Sequence, residues 1–202
     1  MNGCVNGLKI WEITPGQLAW NRVPQGGCHR SPDREVLACV SYPGYDSNRL
    51  ANTMDTEYYS HLVSGMNNIF YNHATQEKTA PGSTYKMVTA VAGLTEGVIS
   101  SGSTIYCNGT FTKVTPSPNC WIYPGAHGSL SVVGALRESC NDFFYETGYR
   151  LGTDENGTYD SDLGIETLAK YARMFGLGET SGIEITEAEP EISEEYAVQS
   201  AI

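Results

Sequence analysis

The sequence predicts an α+β fold, and three observations carry the prediction. A β-branched, apolar run reads as a strand near the start, amphipathic helical patterns fill the middle, and an alternating run lies near the end. A chain of 202 residues with 40% hydrophobic and 10% aromatic side chains can bury the core of one ordinary domain.

Residues 1–32 scatter Gly, Pro, Trp and Cys without a period, so no element is assigned there. Residues 34–42 read as a buried strand, stopped by Pro43-Gly44. Residues 45–80 are polar and turn-rich, with a short helix predicted around 57–63. Pro81-Gly82 introduces Ser83 and a helix over 84–96, where Met87, Val88, Val91 and Leu94 recur at helical spacing before Gly97. Residues 100–128 form a long irregular segment of the kind that is functional or pinned by something. Helical patterns follow at 130–138 and 142–151, which puts Ser139-Cys140-Asn141 at their junction. A further helix covers 165–175, with Asp162 as its expected N-cap and Gly176 as its stop. Residues 181–186 alternate like a strand.

Lys and Arg total 12 against 23 Asp and Glu, a formal charge of −11 that argues against nucleic acid as a partner. The charge is uneven: residues 1–153 hold 11 acidic and 10 basic groups, residues 154–202 hold 12 and 2. The second stretch reads as a solvated acidic lobe. No apolar run approaches the ~18 residues of a membrane span, and no secretion signal is visible.

Ser83 and Lys86 stand three residues apart at a helix start, where the amine can reach the hydroxyl. A serine needs a base to become a nucleophile, and a lysine serves when burial lowers its pKa. The helix N-terminus also brings backbone N–H groups near Ser83, where an oxyanion could form. Spacing alone favours a helix-start serine with a solvated lysine. A second polar pair, Ser139-x-Asn141, lies 56 residues beyond Ser83 and could relay protons to Lys86 and bind an amide-bearing substrate. Ser-x-x-Lys followed by Ser-x-Asn is the order used by penicillin-interacting serine enzymes.

From residue 34 onward the chain resembles the transpeptidase domain of class B penicillin-binding proteins of the elongation type (penicillin-binding protein 2). The likeness rests on ATQEKTAPGSTYK, VLACVSYPGYDSNRLAN, HGSLSVVGALRESCNDFFYETGYRLG and MFGLGETSGIEITEAEP. The resemblance implies a penicillin-binding/serine β-lactamase-like fold, an antiparallel sheet flanked by helices. It implies Ser83 as acylated nucleophile, Lys86 as its base, and Ser139 and Asn141 as the second-motif pair. The implied reaction is D,D-transpeptidation: the serine takes the acyl group of a peptidoglycan stem peptide, releases D-Ala, and passes the acyl group to a neighbouring amine. Implied partners are stem peptides, β-lactam antibiotics and the cell-wall elongation machinery, at the extracytoplasmic face of the cell membrane. A serine β-lactamase of the same fold and a non-catalytic β-lactam sensor or scaffold are the rival readings.

The family's third motif, Lys-Thr/Ser-Gly on a strand, is absent, since Lys113 and Lys170 are the lysines after Lys86 and neither begins it. The expectation is therefore a C-terminally truncated, partial domain over 33–202, inactive by itself, with 1–32 foreign to it.

Cys107, Cys120, His127 and Cys140 fall within 34 residues. Three thiolates and an imidazole can close a structural Zn²⁺ site. Some elongation-type relatives carry a zinc near the active site, with His and Cys at positions matching His127 and Cys140. A Cys107–Cys120 disulfide with Cys140 as a buried thiol remains the alternative. The chemistry itself needs no cofactor. Cys39 reads as core, and Cys4 and Cys28 suggest no partner. Residues 154–162 resemble a calcium loop but lack its terminal glutamate. Asn108-Gly109-Thr110 reads as a turn, Tyr58-Tyr59 and Phe143-Phe144-Tyr145 as core, and Tyr85 as a neighbour of the active site.

Overall fold

The computed structural model describes residues 26–30, 35–65, 68–193 and 196–202. Most of the unassigned stretch 1–32, including Cys4, lies outside the described residues. The chain divides into two compact units, residues 1–78 with 183–188 and residues 79–182 with 189–202.

In the first unit, β1 (Gly26–Arg30) pairs antiparallel with β2 (Glu35–Val40), from Gly26 opposite Val40 to Arg30 opposite Glu35, with a register irregularity at Cys28/His29. β2 is the expected strand; β1 had no sequence signature. Cys39 and Val40 are exposed at its end, which corrects the reading of Cys39 as core. Helix α1 (Thr56–Ser64) starts on Asp55, whose carboxylate accepts from Tyr58 N at 3.0 Å and pairs with Arg49. Tyr58 lies under the Arg49 guanidinium and Tyr59 is exposed, so this pair is not core either. After α2 (His73–Gln76), residues 183–188 return to it without forming the predicted strand. Thr75 bonds to both sides of Glu187: its hydroxyl donates to Thr186 O at 2.8 Å and its carbonyl accepts from Ala188 N at 2.8 Å.

The second unit opens with a 3₁₀ turn, Gly82–Thr84, that runs into α3 (Lys86–Thr95). Strand β3 (Thr104–Cys107) pairs antiparallel with β4 (Gly128–Ser131), placing Cys107 opposite Gly128. Both strands lie at the edges of the segment read as irregular; four residues each are too few for alternation to stand out. β4 also takes the first two positions of the expected helix. Ser131 ends the strand and caps α4 (Val132–Arg137) by accepting from Gly134 N. Helices α5 (Asn141–Leu151), α6 (Ser161–Met174) and α7 (Ala197–Ser200) complete the unit. The N-cap of α6 is Asp160, not Asp162, and the helix begins four residues earlier than its apolar pattern. The α+β expectation holds, with its antiparallel pairing in two separate two-stranded ribbons.

Helix α5 is the buried centre of this unit. Phe143 and Phe144 have no exposed surface and join α3, β3 and α4 in one apolar cluster. Helices α3, α5 and α6 meet in a second cluster through Val88, Ala92, Leu151 and Leu168. Close approach depends on glycine: a Cβ at Gly93 would lie 2.6 Å from Thr147 Cγ2, and one at Gly148 would lie 2.8 Å from Ala201 Cβ. Tyr85 points its hydroxyl to Leu168 O at 3.3 Å and packs in the second cluster, away from the role expected for it. In the acidic loop, Asp154 accepts from Asn156 N and Thr158 N, so its carboxylate closes a turn.

Candidate active site

Gly82 has φ +57°, a left-handed conformation that a side chain would strain, and it turns the chain from Pro81 into the helix start. Ser83 sits on that turn with its side chain exposed, and Lys86 is the first residue of α3. The lysine is 1% exposed, so its reach is confined to the groups around it. Lys86 Nζ lies 3.1 Å from Ser83 Oγ, 2.8 Å from Ser139 O, 3.1 Å from Ser139 Oγ and 2.5 Å from Asn141 Oδ1. Ser139 Oγ donates to Ser83 Oγ at 3.0 Å. The fold thus brings all four sequence-predicted residues into one hydrogen-bonded network across separations of 53 to 56 residues.

Burial pushes the Lys86 amine below the ordinary lysine value, against the opposing pull of Cys120 and Cys140. A neutral amine has a lone pair, and the Ser83 hydroxyl stands within reach of it. Such an arrangement can take a proton from Ser83 and return one through Ser139. Asn141 spends its carbonyl on Lys86 and keeps its amide N–H₂ to donate elsewhere.

The second pair is held under strain. Ser139 has φ +50°, unusual for a residue with a Cβ, and it links the end of α4 to the start of α5. Cys140 N donates to Ala135 O at 2.9 Å, and Ser139 N donates to Leu136 O at 3.2 Å. Trp121, which the sequence reading passed over, donates its indole N–H to Glu138 O at 3.1 Å and so fixes the peptide leading into Ser139. Asp142 is a second omission. Its buried carboxylate accepts from Asn108 N at 3.0 Å and ties the loop after β3 to α5. Neither residue belongs to a spacing pattern, which is why only the fold reveals them.

Behind Ser139 and Asn141 lies the sulfur cluster. Cys107, Cys120, His127 and Cys140 each turn one donor atom inward, and the four atoms lie within 4.8 Å of one another. His127 Nδ1 is 3.5 Å from Cys107 Sγ and 3.6 Å from Cys120 Sγ, and the Cys120 and Cys140 sulfurs are 4.0 Å apart. All three cysteines are free, so the Cys107–Cys120 bridge is not formed. Burial pushes the Cys107 and Cys140 thiols up. Burial acts the same way on Cys120, but backbone N–H groups around Asp142, Ile122 and Asn141 outweigh it and hold that thiol below its ordinary value.

The donor set and its spacing fit a tetrahedral zinc-type ion. Bonds of about 2.3 Å to sulfur and 2.0–2.1 Å to nitrogen imply edges of roughly 3.8 Å and 3.6 Å. The buried Nε2 of His127 has no hydrogen-bond partner among the described residues, so the ring has no polar anchor besides the sulfurs.

Comparison with known proteins agrees with this geometry. The family model of the penicillin binding protein transpeptidase domain matches residues 31–202. Peptidoglycan D,D-transpeptidase MrdA of Escherichia coli K12 is 32% identical over 163 residues, 75% of this chain and 22% of its own. The chain thus spans under a quarter of that relative's length. Among solved structures, Pseudomonas aeruginosa PBP2 in complex with WCK 5153 superposes with TM-score 0.69 at 24% identity, covering 83% of this chain and 38% of that one. Helicobacter pylori PBP2 in its complex with MreC gives TM-score 0.67 at 25% identity, over 77% of this chain and 27% of that one. With a family match across 31–202 and both serine motifs joined in one network, the chain belongs to the penicillin-binding protein transpeptidase family.

Proposed function

We propose that the chain carries the acylation centre of a peptidoglycan D,D-transpeptidase of cell-wall elongation. The observation that carries the reading is the network in which buried Lys86 touches Ser83, Ser139 and Asn141 together. Neutral Lys86 takes the Ser83 proton as Oγ attacks the penultimate D-Ala carbonyl of a stem peptide. Ser139 carries that proton onward to the leaving amine, terminal D-Ala departs, and an acyl-serine remains. A neighbouring stem's amine then attacks the ester, the bond from the carbonyl carbon to Ser83 Oγ breaks, and the same lysine passes the amine's proton to Ser83 Oγ. Asn141 orients the lysine through its carbonyl and offers its amide N–H to the substrate backbone. Penicillins, cyclic acyl donors of similar shape, acylate Ser83 by the same first steps.

We assign residues 33–202 to part of a transpeptidase domain, since the chain spans 22% of the length of the MrdA relative. The partners that fit are stem peptides, β-lactams and the elongation machinery, the last supported by the MreC complex of the Helicobacter protein. The place of action is the extracytoplasmic face of the membrane. No helix among the described residues is long and apolar enough to cross a membrane.

Cys107, Cys120, His127 and Cys140 are proposed to hold a structural Zn²⁺, supported by the donor chemistry and spacing. The ion would supply charge and cross-linking, pinning the 107–127 loop to the start of α5. Metal analysis of the reduced protein and of Cys140→Ser tests this, and absence of zinc from both ends the idea.

Fluorescent penicillin labelling of a form containing the third motif tests the function. The expected result is a long-lived adduct on Ser83 together with stem-peptide crosslinking. Rapid turnover of the adduct points to a β-lactamase, an adduct without crosslinking to a sensor, and no labelling overturns all three.

A further inference from the structure

We propose that Cys120 and Cys140 form a redox-modification site, a dithiol that a peroxide converts to a disulfide and thereby draws the 139–141 turn away from Lys86. The two sulfurs are 4.0 Å apart, already in van der Waals contact, while a disulfide needs about 2.05 Å. The sulfurs therefore close by roughly 2 Å, through side-chain rotation, backbone movement or both. On the Cys120 side the chain is held by Cys120 N donating to Gly109 O at 2.9 Å. On the Cys140 side the next residue enters the packed helix α5, but the preceding one is Ser139 at φ +50°. Any backbone movement on this side is taken up at that strained link, against the bond from Cys140 N to Ala135 O at 2.9 Å. Ser139 and Asn141 flank Cys140 and reach Lys86 Nζ at 2.5–3.1 Å, distances that a shift of about an ångström carries to the edge of hydrogen-bond range or past it.

Burial selects the oxidant. Cys120 and Cys140 are 2% and 0% exposed, which shuts out a bulky disulfide reagent and leaves a small peroxide. One thiolate sulfur attacks a peroxide oxygen, the O–O bond breaks, and a sulfenic acid forms with release of water. The second sulfur attacks the sulfenic sulfur, the S–O bond breaks, and a second water leaves. Two thiols and one hydrogen peroxide thus give one disulfide and two waters, the thiols oxidised and the peroxide reduced. The disulfide also consumes two of the four donors around His127, so oxidation and metal binding exclude each other. The effect on Lys86 rests on the roles proposed above for Ser139 and Asn141; formation of the disulfide does not.

The experiment treats the reduced, metal-free 202-residue chain, carrying Cys4→Ser, Cys28→Ser and Cys39→Ser, with hydrogen peroxide. Peptide mapping is expected to find Cys120 joined to Cys140, with Cys107→Ser giving the same bridge and Cys120→Ser giving none. The side-chain amide signals of Asn141 are expected to shift on oxidation and return on reduction with dithiothreitol. A main product joining Cys107 to either partner, or oxidation that stops at sulfinic acid, overturns the site. A Cys120–Cys140 bridge that leaves the Asn141 signals unmoved overturns its coupling to the second motif. Failure of penicillin labelling would overturn the proposed function and leave the mapped bridge standing.

Discussion

Two clusters meet at the peptide 139–141, and they are built on opposite principles. On one side, Lys86, Ser83, Ser139 and Asn141 satisfy one another by hydrogen bonds, and a buried amine touches four acceptor atoms. On the other, three thiols and an imidazole converge without a strong hydrogen bond, and His127 Nε2 has no partner among the described residues. A buried polar network of the first kind is complete as it stands and rigid for that reason. The second kind is held by packing until an ion or a covalent bond joins its atoms. Because Cys140 stands between Ser139 and Asn141, whatever joins the atoms of the looser cluster acts next to the residues of the tighter one.

The largest expected effect breaks the hydrogen-bonded side outright. Ser83→Ala is expected to abolish penicillin labelling of the form with the third motif, and Lys86→Ala to slow it by ~10²–10⁴, the range for loss of a general base. Stopped-flow or gel measurement of the acylation rate checks both. A Lys86→Ala rate within a factor of a few of the parent would remove the lysine from its proposed role.

Protonation sharpens the same side. Burial holds the Lys86 pKa below the ordinary 10.5. Acylation is expected to rise with pH through that depressed value, as the amine becomes neutral. Stability has the same sign. Below the folded-state pKa both states hold the proton, and the fold bears the whole cost of burying an ammonium. Between the folded-state value and 10.5 the unfolded chain binds more protons, so stability climbs with pH and then levels off. Lys86→Met is expected to flatten that rise in a series of urea melts.

The sulfur side answers to a different probe. Cys140→Ser is expected to abolish stoichiometric zinc binding, by elemental analysis, while the reduced parent retains about one ion per chain, since structural zinc needs all four ligands. Labelling in the Cys140→Ser form is expected to slow without vanishing, because Lys86 lies on the well-packed α3 and Ser83 on the turn that leads into it, apart from the sulfur cluster. Equal loss of labelling in Cys140→Ser and Ser83→Ala would erase the distinction between the two clusters.

The two sides were unequally legible in the sequence. Ser83 and Lys86 lie one helical turn apart, so local geometry alone brings them together, and the order of motifs pointed to Ser139 and Asn141. The four cysteine and histidine positions were visible as chemistry, but not as geometry. Their convergence depends on β3 and β4, which pair Cys107 with Gly128 beside His127, and four-residue strands leave no readable alternation. The apolar spacing misses the start of α6 because Ser161, Asp162 and the exposed Leu163 stand off the buried face, which begins at Gly164 and Ile165. Trp121 and Asp142 act through one hydrogen bond each to distant backbone, a relation no local pattern encodes. The predicted strand at 181–186 does not form, and Thr186 at its end gives its carbonyl to the Thr75 hydroxyl instead of a ladder.

Packing changes test whether the network depends on the spacing of its helices. Gly93→Ala puts a Cβ 2.6 Å from Thr147 Cγ2 and 3.0 Å from Ile99 Cγ1, between the helices that carry Lys86 and Asn141. Overpacking of this kind costs about 1–3 kcal/mol, read as a lowered urea midpoint with unchanged slope. Labelling is expected to fall with it, since α3 must move off α5.

Ser131→Ala should have the smallest effect, and it separates stability from position. Ser131 caps α4, and losing its bond to Gly134 N costs about 1 kcal/mol. The far end of α4 is held independently, by Cys140 N to Ala135 O, Ser139 N to Leu136 O and the Trp121 bond to Glu138 O. Those three bonds set the Ser139 turn, so the cap can be lost without moving it. The expected outcome is a lower urea midpoint with an unchanged labelling rate. If labelling falls as far as in Gly93→Ala, the turn is governed by the whole of α4, and its independence from the start of that helix fails at this point.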